Sequence, residues 1–162
     1  MSEANPGELT RAAQQVFSSM FGLNLTPNNG QGLPNFPPER KVSAAVGISG
    51  DWNGAVLFEC SSSTACHLAS IMLGGDPPSA VNEDVKDVIG EITNMVAGNF
   101  KNSLDGHSVL TLPCVIEGAD YSLEIIQGKR LLTEALLFDG EWIILSVVQG
   151  NGRRQSPPAG IR

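Results

Sequence analysis

The longest regular pattern of hydrophobic and polar positions covers residues 84–104, where apolar side chains recur with a helical period. The side chains that share one side of that helix are Val85, Val88, Ile89, Ile92, Val96 and Phe100. Asn82 before the stretch is a suitable N-cap, and Gly106 after it is a suitable stop. The pattern predicts one long amphipathic helix whose apolar side packs on a core.

Shorter patterns on both sides of this helix predict the remaining elements. A helical period is present at 8–21. Another carries Ala65, Leu68, Ile71 and Met72, after three serines at 61–63 that could cap a helix. A long connection rich in Pro, Gly and Asn is predicted at 24–41. Runs rich in apolar and β-branched residues predict six strands, at 42–48, 54–60, 109–116, 121–127, 130–138 and 141–148. We therefore expect about six mostly antiparallel strands and three helices.

Size and charge narrow the functional classes. A chain of 162 residues is most simply one domain. A net charge of −7 argues against nucleic acid as a partner, because proteins that bind phosphate backbones cluster Lys and Arg. We expect a flexible N-terminus at 1–7, a domain at 8–149 and a disordered tail at 150–162.

Cysteine usage and hydropathy predict a cytoplasmic protein. The three cysteines form neither a CxxC pair nor an even disulfide framework, which fits a reducing compartment. The N-terminal residues lack the pattern of a signal peptide, and no run reaches the roughly 18 apolar residues that a membrane span needs. We therefore expect neither secretion nor membrane insertion.

Familiar catalytic motifs are absent from the sequence. It contains no Walker loop, GxGxxG, GxSxG or HExxH motif, so nucleotide-binding, dinucleotide-binding, nucleophile-elbow (α/β-hydrolase) and zinc-protease functions have no support. His67 and His107 are far apart, and the spacing predicts no metal site, which would need at least three ligands. All three cysteines lie within or beside apolar runs, so none is expected to be a nucleophile.

A second, mostly polar stripe runs along the long helix. Steps of four, three, four and three residues join its members, which are Asp87, Glu91, Asn94, Gly98 and Lys101. One interpretation is that this stripe is only the solvated side of an amphipathic helix. The other is functional, since Asn is a poor mid-helix residue and the helix also carries Gly90 and Gly98, each of which costs about 1 kcal/mol relative to Ala.

The arrangement Asp87-x-x-x-Glu91-x-x-Asn94, with Gly98, Asn99 and Lys101 after it and Leu112-Pro113 further on, resembles the signature of the CheC/CheX/FliY family of chemotaxis phosphatases. Similarity extends over roughly residues 8–149. The first helix has no Glu-x-x-Asn, so the chain is most similar to the CheX-like members, which keep only the later motif. The resemblance implies an α/β (α+β) fold of two layers, with long helices on a mostly antiparallel sheet.

What the resemblance implies about function is specific. Family members hydrolyse the phosphoaspartate of a CheY-like response-regulator receiver domain, and CheX-like members are homodimers. By this similarity Asn94 would position the attacking water and Glu91 would dock on the receiver's active-site Lys. Asp87, Gly98 and Lys101 would support partner binding. No cofactor of its own is implied, because the receiver supplies Mg²⁺.

Two alternatives remain open at this stage. The chain could be a CheX-like module that binds phosphorylated receivers without hydrolysing them. It could also be a structural protein related to the flagellar switch, because switch proteins share a related fold without the motif.

Overall fold

A computed structural model describes residues 5–28 and 40–150. The predicted flexible residues 1–4, most of the predicted connection and residues 151–162 of the predicted tail lie outside the described residues. Within the described ranges the chain forms, in order, α1 (Pro6–Phe21), β1 (Thr26–Pro27), β2 (Lys41–Gly50), β3 (Gly54–Ser61), α2 (Ser62–Leu73), α3 (Glu83–Lys101), β4 (Ser108–Leu110), β5 (Cys114–Gly118), β6 (Lys129–Phe138) and β7 (Glu141–Gln149).

The strands of the described residues form one antiparallel sheet in the order β1-β6-β7-β3-β2, with β4 and β5 both paired to the outer side of β2. Two hairpins, β2–β3 and β6–β7, supply its central strands. Asp139 and Gly140, both with positive φ, form the β6–β7 turn, as the Asp-Gly pair predicts. The predicted α+β class is confirmed, with seven strands among residues 5–28 and 40–150 where six were predicted.

All three helices contact the same face of the sheet, and the main core lies between these two layers. Every residue of the predicted apolar stripe of α3 is at most 4% exposed. Phe17 of α1 packs on Phe138 of β6, with ring centroids 5.6 Å apart. Because α3 packs on α1, α2 and the sheet, its position is fixed from three sides.

The helix starts follow the caps expected from the sequence. Asn82 Oδ1 accepts a hydrogen bond from Val85 N at 2.9 Å, and Ser61 Oγ accepts one from Thr64 N at 3.0 Å. The predicted end of α3 at Gly106 is wrong, because the helix ends at Lys101 and Asn102 caps it. Gly106, with φ of 86°, instead lies where a Cβ would be 2.4 Å from Asp51 Oδ2.

The predicted strand 109–116 is two strands, β4 and β5, separated by residues 111–113. Thr111 bridges this gap: its N–H donates to Gly47 O at 2.9 Å, and its hydroxyl accepts from Gly47 N at 2.9 Å. Pro113 has no N–H to contribute to a ladder. The strand is therefore interrupted without leaving the backbone groups of Gly47 unpaired.

The predicted strand 121–127 is also wrong, because the chain takes positive φ at Asp120 and Gln127 and forms a loop. Its alternating pattern nevertheless has a cause. Leu123 and Ile125 pack on a small second cluster with Ala55, Leu57 and Val148. Since successive strand residues face opposite sides, this loop lies on the sheet face opposite the helices. Leu123 and Ile125 are thus partly buried by stacking on the sheet and not by strand pairing.

Candidate functional site

Helix α3 presents the polar stripe away from its buried side. Glu91 and Asp87 are exposed, while Asn94, Gly98 and Lys101 are half-buried. The two motif side chains, Glu91 and Asn94, are one helical turn apart, which places their Cβ atoms about 5–6 Å from each other. The structure therefore brings the acid and the amide together on one accessible surface.

Neither motif side chain is used to hold the fold together. Within residues 5–28 and 40–150, no hydrogen bond or ion pair joins the Glu91 carboxylate or the Asn94 amide to another residue. By contrast, Thr93, which also lies on α3 but is buried, donates to Ile89 O at 2.7 Å. An amide can both donate and accept hydrogen bonds, and a carboxylate accepts them. Both groups are thus available to a molecule that approaches from outside.

Asn94 also lines a groove of about 520 Å³ between α1 and α3. Polar side chains make up most of its walls. The groove residues are Gln15, Val16 and Ser19 of α1, Asn94, Met95, Gly98, Asn99 and Lys101 of α3, with Asn102 and Leu110. The surface next to the motif is therefore concave and polar.

The predicted supporting residues differ in what they contact. Lys101 Nζ donates to Ser108 O at 3.0 Å and so ties the end of α3 to β4. Gly98 borders the groove, and a Cβ there would meet only Leu110 Cδ1, at 3.8 Å. Asp87 is exposed one turn before Glu91 and has no polar partner among the described residues. The stripe thus runs from Asp87 to Lys101, whose ammonium group is held in place by Ser108 O.

The other glycine of α3, Gly90, has a structural role. A Cβ at Gly90 would lie 3.4 Å from both Pro113 Cγ and Val115 Cγ2. The absence of a side chain therefore lets the segment after β4 pack closely against the helix.

Other ionisable groups lie away from α3's stripe. His67 Nδ1 contacts Glu141 Oε2, and Thr64 donates to the other oxygen of that carboxylate at 3.1 Å. Burial raises the pKa of the Cys60 thiol well above its ordinary range, which makes it a poor nucleophile. Cys66 is also buried, whereas Cys114 is exposed.

Two features are absent from the residues that the structure describes. No group of three or more His, Cys, Asp and Glu side chains is arranged there to hold a metal ion. No helix in these ranges is long and apolar enough to cross a bilayer.

Comparison with known proteins agrees with this fold. The family described as chemotaxis phosphatase CheX matches residues 42–133. The CheY-P phosphatase CheX of Thermotoga maritima is 33% identical over 107 residues, which are 63% of this chain and 69% of that protein. The chain belongs to the CheX family of chemotaxis phosphatases.

Solved structures of low sequence identity share the fold. A Vibrio vulnificus chemotaxis protein CheX matches with a TM-score of 0.72 and 22% identity, over 92% of this chain and 99% of that one. The CheX–CheY–BeF3–Mg²⁺ complex from Borrelia burgdorferi matches with a TM-score of 0.69 and 22% identity, over 91% and 99% of the two chains. The predicted CheC-like fold is confirmed.

Sequence reasoning missed the contribution of α1 to this surface. Gln15 and Ser19 border the groove beside Asn94, although nearly 80 residues separate them in the chain. The amphipathic pattern of α1 indicated that the helix packs on the core. It contained no signal for which helix would be its neighbour.

Proposed function

We propose that this protein is a phosphatase that hydrolyses the phosphoaspartate of a CheY-like receiver domain. One observation carries the proposal: Glu91 and Asn94 stand side by side on the accessible stripe of a firmly packed helix, with no partner among the described residues. Membership of the CheX family supports it. So does the name of the Thermotoga maritima relative, a CheY-P phosphatase.

Asn94 would position the attacking water. An amide has no useful basicity, but its carbonyl can accept a hydrogen bond from water and its NH2 can donate one. The water oxygen would form a bond to phosphorus as the bond to the aspartyl oxygen breaks, and the carboxylate leaves with the bonding electrons. Both protons of the water stay on the phosphate, which is released as dihydrogen phosphate. Orientation alone can supply several kcal/mol, at about 1.4 kcal/mol per tenfold in rate.

The receiver would supply the positive charge at the reaction centre, because neither Glu91 nor Asn94 carries any. Its divalent metal, Mg²⁺ by our proposal, and its active-site Lys would stabilise the equatorial phosphoryl oxygens. Glu91, exposed and unpaired among the described residues, would form an ion pair with that Lys. Because Glu91 and Asn94 lie on the same helix, this ion pair would set how deeply the Asn94 amide enters the receiver's active site.

The rest of the stripe would support docking. Asp87 extends the acidic surface by one turn, and Gly98 leaves room for close approach. Lys101, held by Ser108, would fix the end of α3 against the sheet. We further propose that the protein acts in the cytoplasm as a homodimer. Each chain would carry one site, since α1 lacks a Glu-x-x-Asn sequence.

The test is the lifetime of phosphate on each CheY-like receiver of the same organism, with and without this protein. Asn94→Ala should lower the catalysed rate at least about 100-fold, which corresponds to about 2.7 kcal/mol of lost transition-state stabilisation, while binding is retained. Glu91→Ala should weaken both binding and hydrolysis. Asn24→Ala is the matched control, because this Asn is exposed outside the stripe and the groove.

Three results would count against parts of this proposal. Hydrolysis by Asn94→Ala at the parent rate would refute the role of the amide. Phosphorylation-dependent binding by the parent with an unchanged phosphate lifetime would favour the non-catalytic module. Sedimentation of the parent as a monomer at all concentrations would refute the homodimer.

A further inference from the structure

Leu112 is the most exposed large hydrophobic residue in the described parts of the chain, at 90%. It lies in the gap between β4 and β5, next to Pro113. Nothing in the catalytic scheme above uses it. An isolated exposed Leu needs no explanation by itself, so its position relative to α3 decides whether it has a role.

The segment that carries Leu112 runs alongside α3 in the opposite direction. Ser108 is beside Lys101, Leu110 is beside Gly98, and Pro113 is beside Gly90. Three extended residues cover about 10 Å, and the eight helix positions from 98 to 90 cover about 12 Å. Leu112, one residue before Pro113, therefore lies level with the turn of α3 that carries Glu91 and Asn94.

The backbone around Leu112 is held in place. Thr111 makes two hydrogen bonds to Gly47, both 2.9 Å long. Pro113 has a fixed φ and would touch any Cβ added at Gly90. A side chain held outward on such a support loses little backbone freedom when a partner covers it.

We propose that Leu112 is an apolar docking contact for the receiver domain whose phosphoaspartate Asn94 approaches. This inference rests on the proposed function. The receiver is the partner we assign to Leu112 because Leu112 lies at the same level along α3 as the polar stripe. A receiver domain that brings its phosphoaspartate to the Asn94 amide would also cover the Leu112 side chain. This contact requires the receiver to carry an exposed apolar side chain beside its phosphorylation site. Packing there would also exclude bulk water from the edge of the reaction centre.

The experiment measures two quantities for Leu112→Ala. One is affinity for a receiver activated with beryllofluoride and Mg²⁺, and the other is the phosphate-release rate over a range of phosphorylated receiver concentrations. We expect binding to weaken about tenfold, with the rate at saturating receiver unchanged. Ile126→Ala is the matched control, since Ile126 is 89% exposed on the loop covering the opposite sheet face. Both variants should keep the parent's melting temperature.

The outcomes separate this inference from the proposed function. If the parent hydrolyses phosphate and Leu112→Ala matches it in affinity and rate, the docking role is refuted and the phosphatase proposal stands. If the parent binds but does not hydrolyse, and Leu112→Ala binds more weakly, the docking role stands and the phosphatase proposal fails. If Leu112→Ala weakens self-association instead, a second copy of this chain is the occupant and the receiver assignment is overturned.

Discussion

Gly98→Ala should make the fold more stable and the phosphatase slower. A Cβ at this position would meet only Leu110 Cδ1, at an ordinary contact distance of 3.8 Å. Replacing a helical Gly removes a cost of about 1 kcal/mol, partly because Gly gives the unfolded chain more freedom. We expect the free energy of unfolding to rise by about 0.5–1 kcal/mol and the melting temperature by about 1–4 °C.

The same methyl group should obstruct the partner. Gly98 borders the groove that Asn94 lines, so an added Cβ projects where the receiver has to approach. Because a displacement of about 1 Å can cost up to about 10²-fold in rate, we expect phosphate release at low receiver concentration to fall about tenfold. Urea unfolding and phosphate-release kinetics on the same preparation measure the two effects.

Gly90→Ala provides the stability comparison. Its Cβ would be 3.4 Å from Pro113 and Val115, so closer packing should offset part of the gain in helix propensity. A smaller stabilisation than for Gly98→Ala is therefore expected. The steric reasoning is refuted if Gly98→Ala is no more stable than the parent, and the docking reasoning is refuted if it is more stable but equally active.

Two further predictions concern the rest of the fold. At about pH 8 a thiol reagent should label Cys114 rapidly and leave Cys60 and Cys66 unlabelled until the protein unfolds. Cys60 and Cys66 are buried, and burial raises the pKa of both thiols. Rapid labelling of all three cysteines would contradict this prediction. The hydrogen bonds from the Arg40 guanidinium hold the pKa of the Glu117 carboxyl below its ordinary value of 4.5, so this pair stabilises the folded state at neutral pH and the contribution is lost as pH falls through the lowered value. The stability difference between the parent and Glu117→Gln should therefore shrink below about pH 4, and an equal difference at about pH 3 and pH 7 would refute it.

Periodicity predicted the helices because their apolar stripes satisfy the helix geometry and the core together. The stripe of α3 is buried as expected, and both central hairpins are found where alternation and turn residues predict them. A loop whose sequence alternates like a strand is harder to predict. Residues 121–127 alternate because one side packs on a sheet, and alternation alone does not reveal whether the backbone also pairs.

The polar stripe could be predicted because it depends only on spacing within one helix. The groove beside it could not, because α1 and α3 meet only after the sheet has positioned both. Leu112 illustrates the same limit. Its neighbours in the sequence show that a strand is interrupted, but its level beside Glu91 and Asn94 follows from the packing of Pro113 against Gly90.

The pairing of β1 has a consequence for how the chain folds during synthesis. Thr26 pairs with Leu137, 111 residues later, and its hydroxyl donates to the same residue's carbonyl. β1 therefore gains its sheet partner only after the ribosome has released β6. Such distant pairing slows folding, since the loop must close before its contacts form. Completion of the sheet is consequently a late event, and nascent chains truncated before β6 should remain open to proteases.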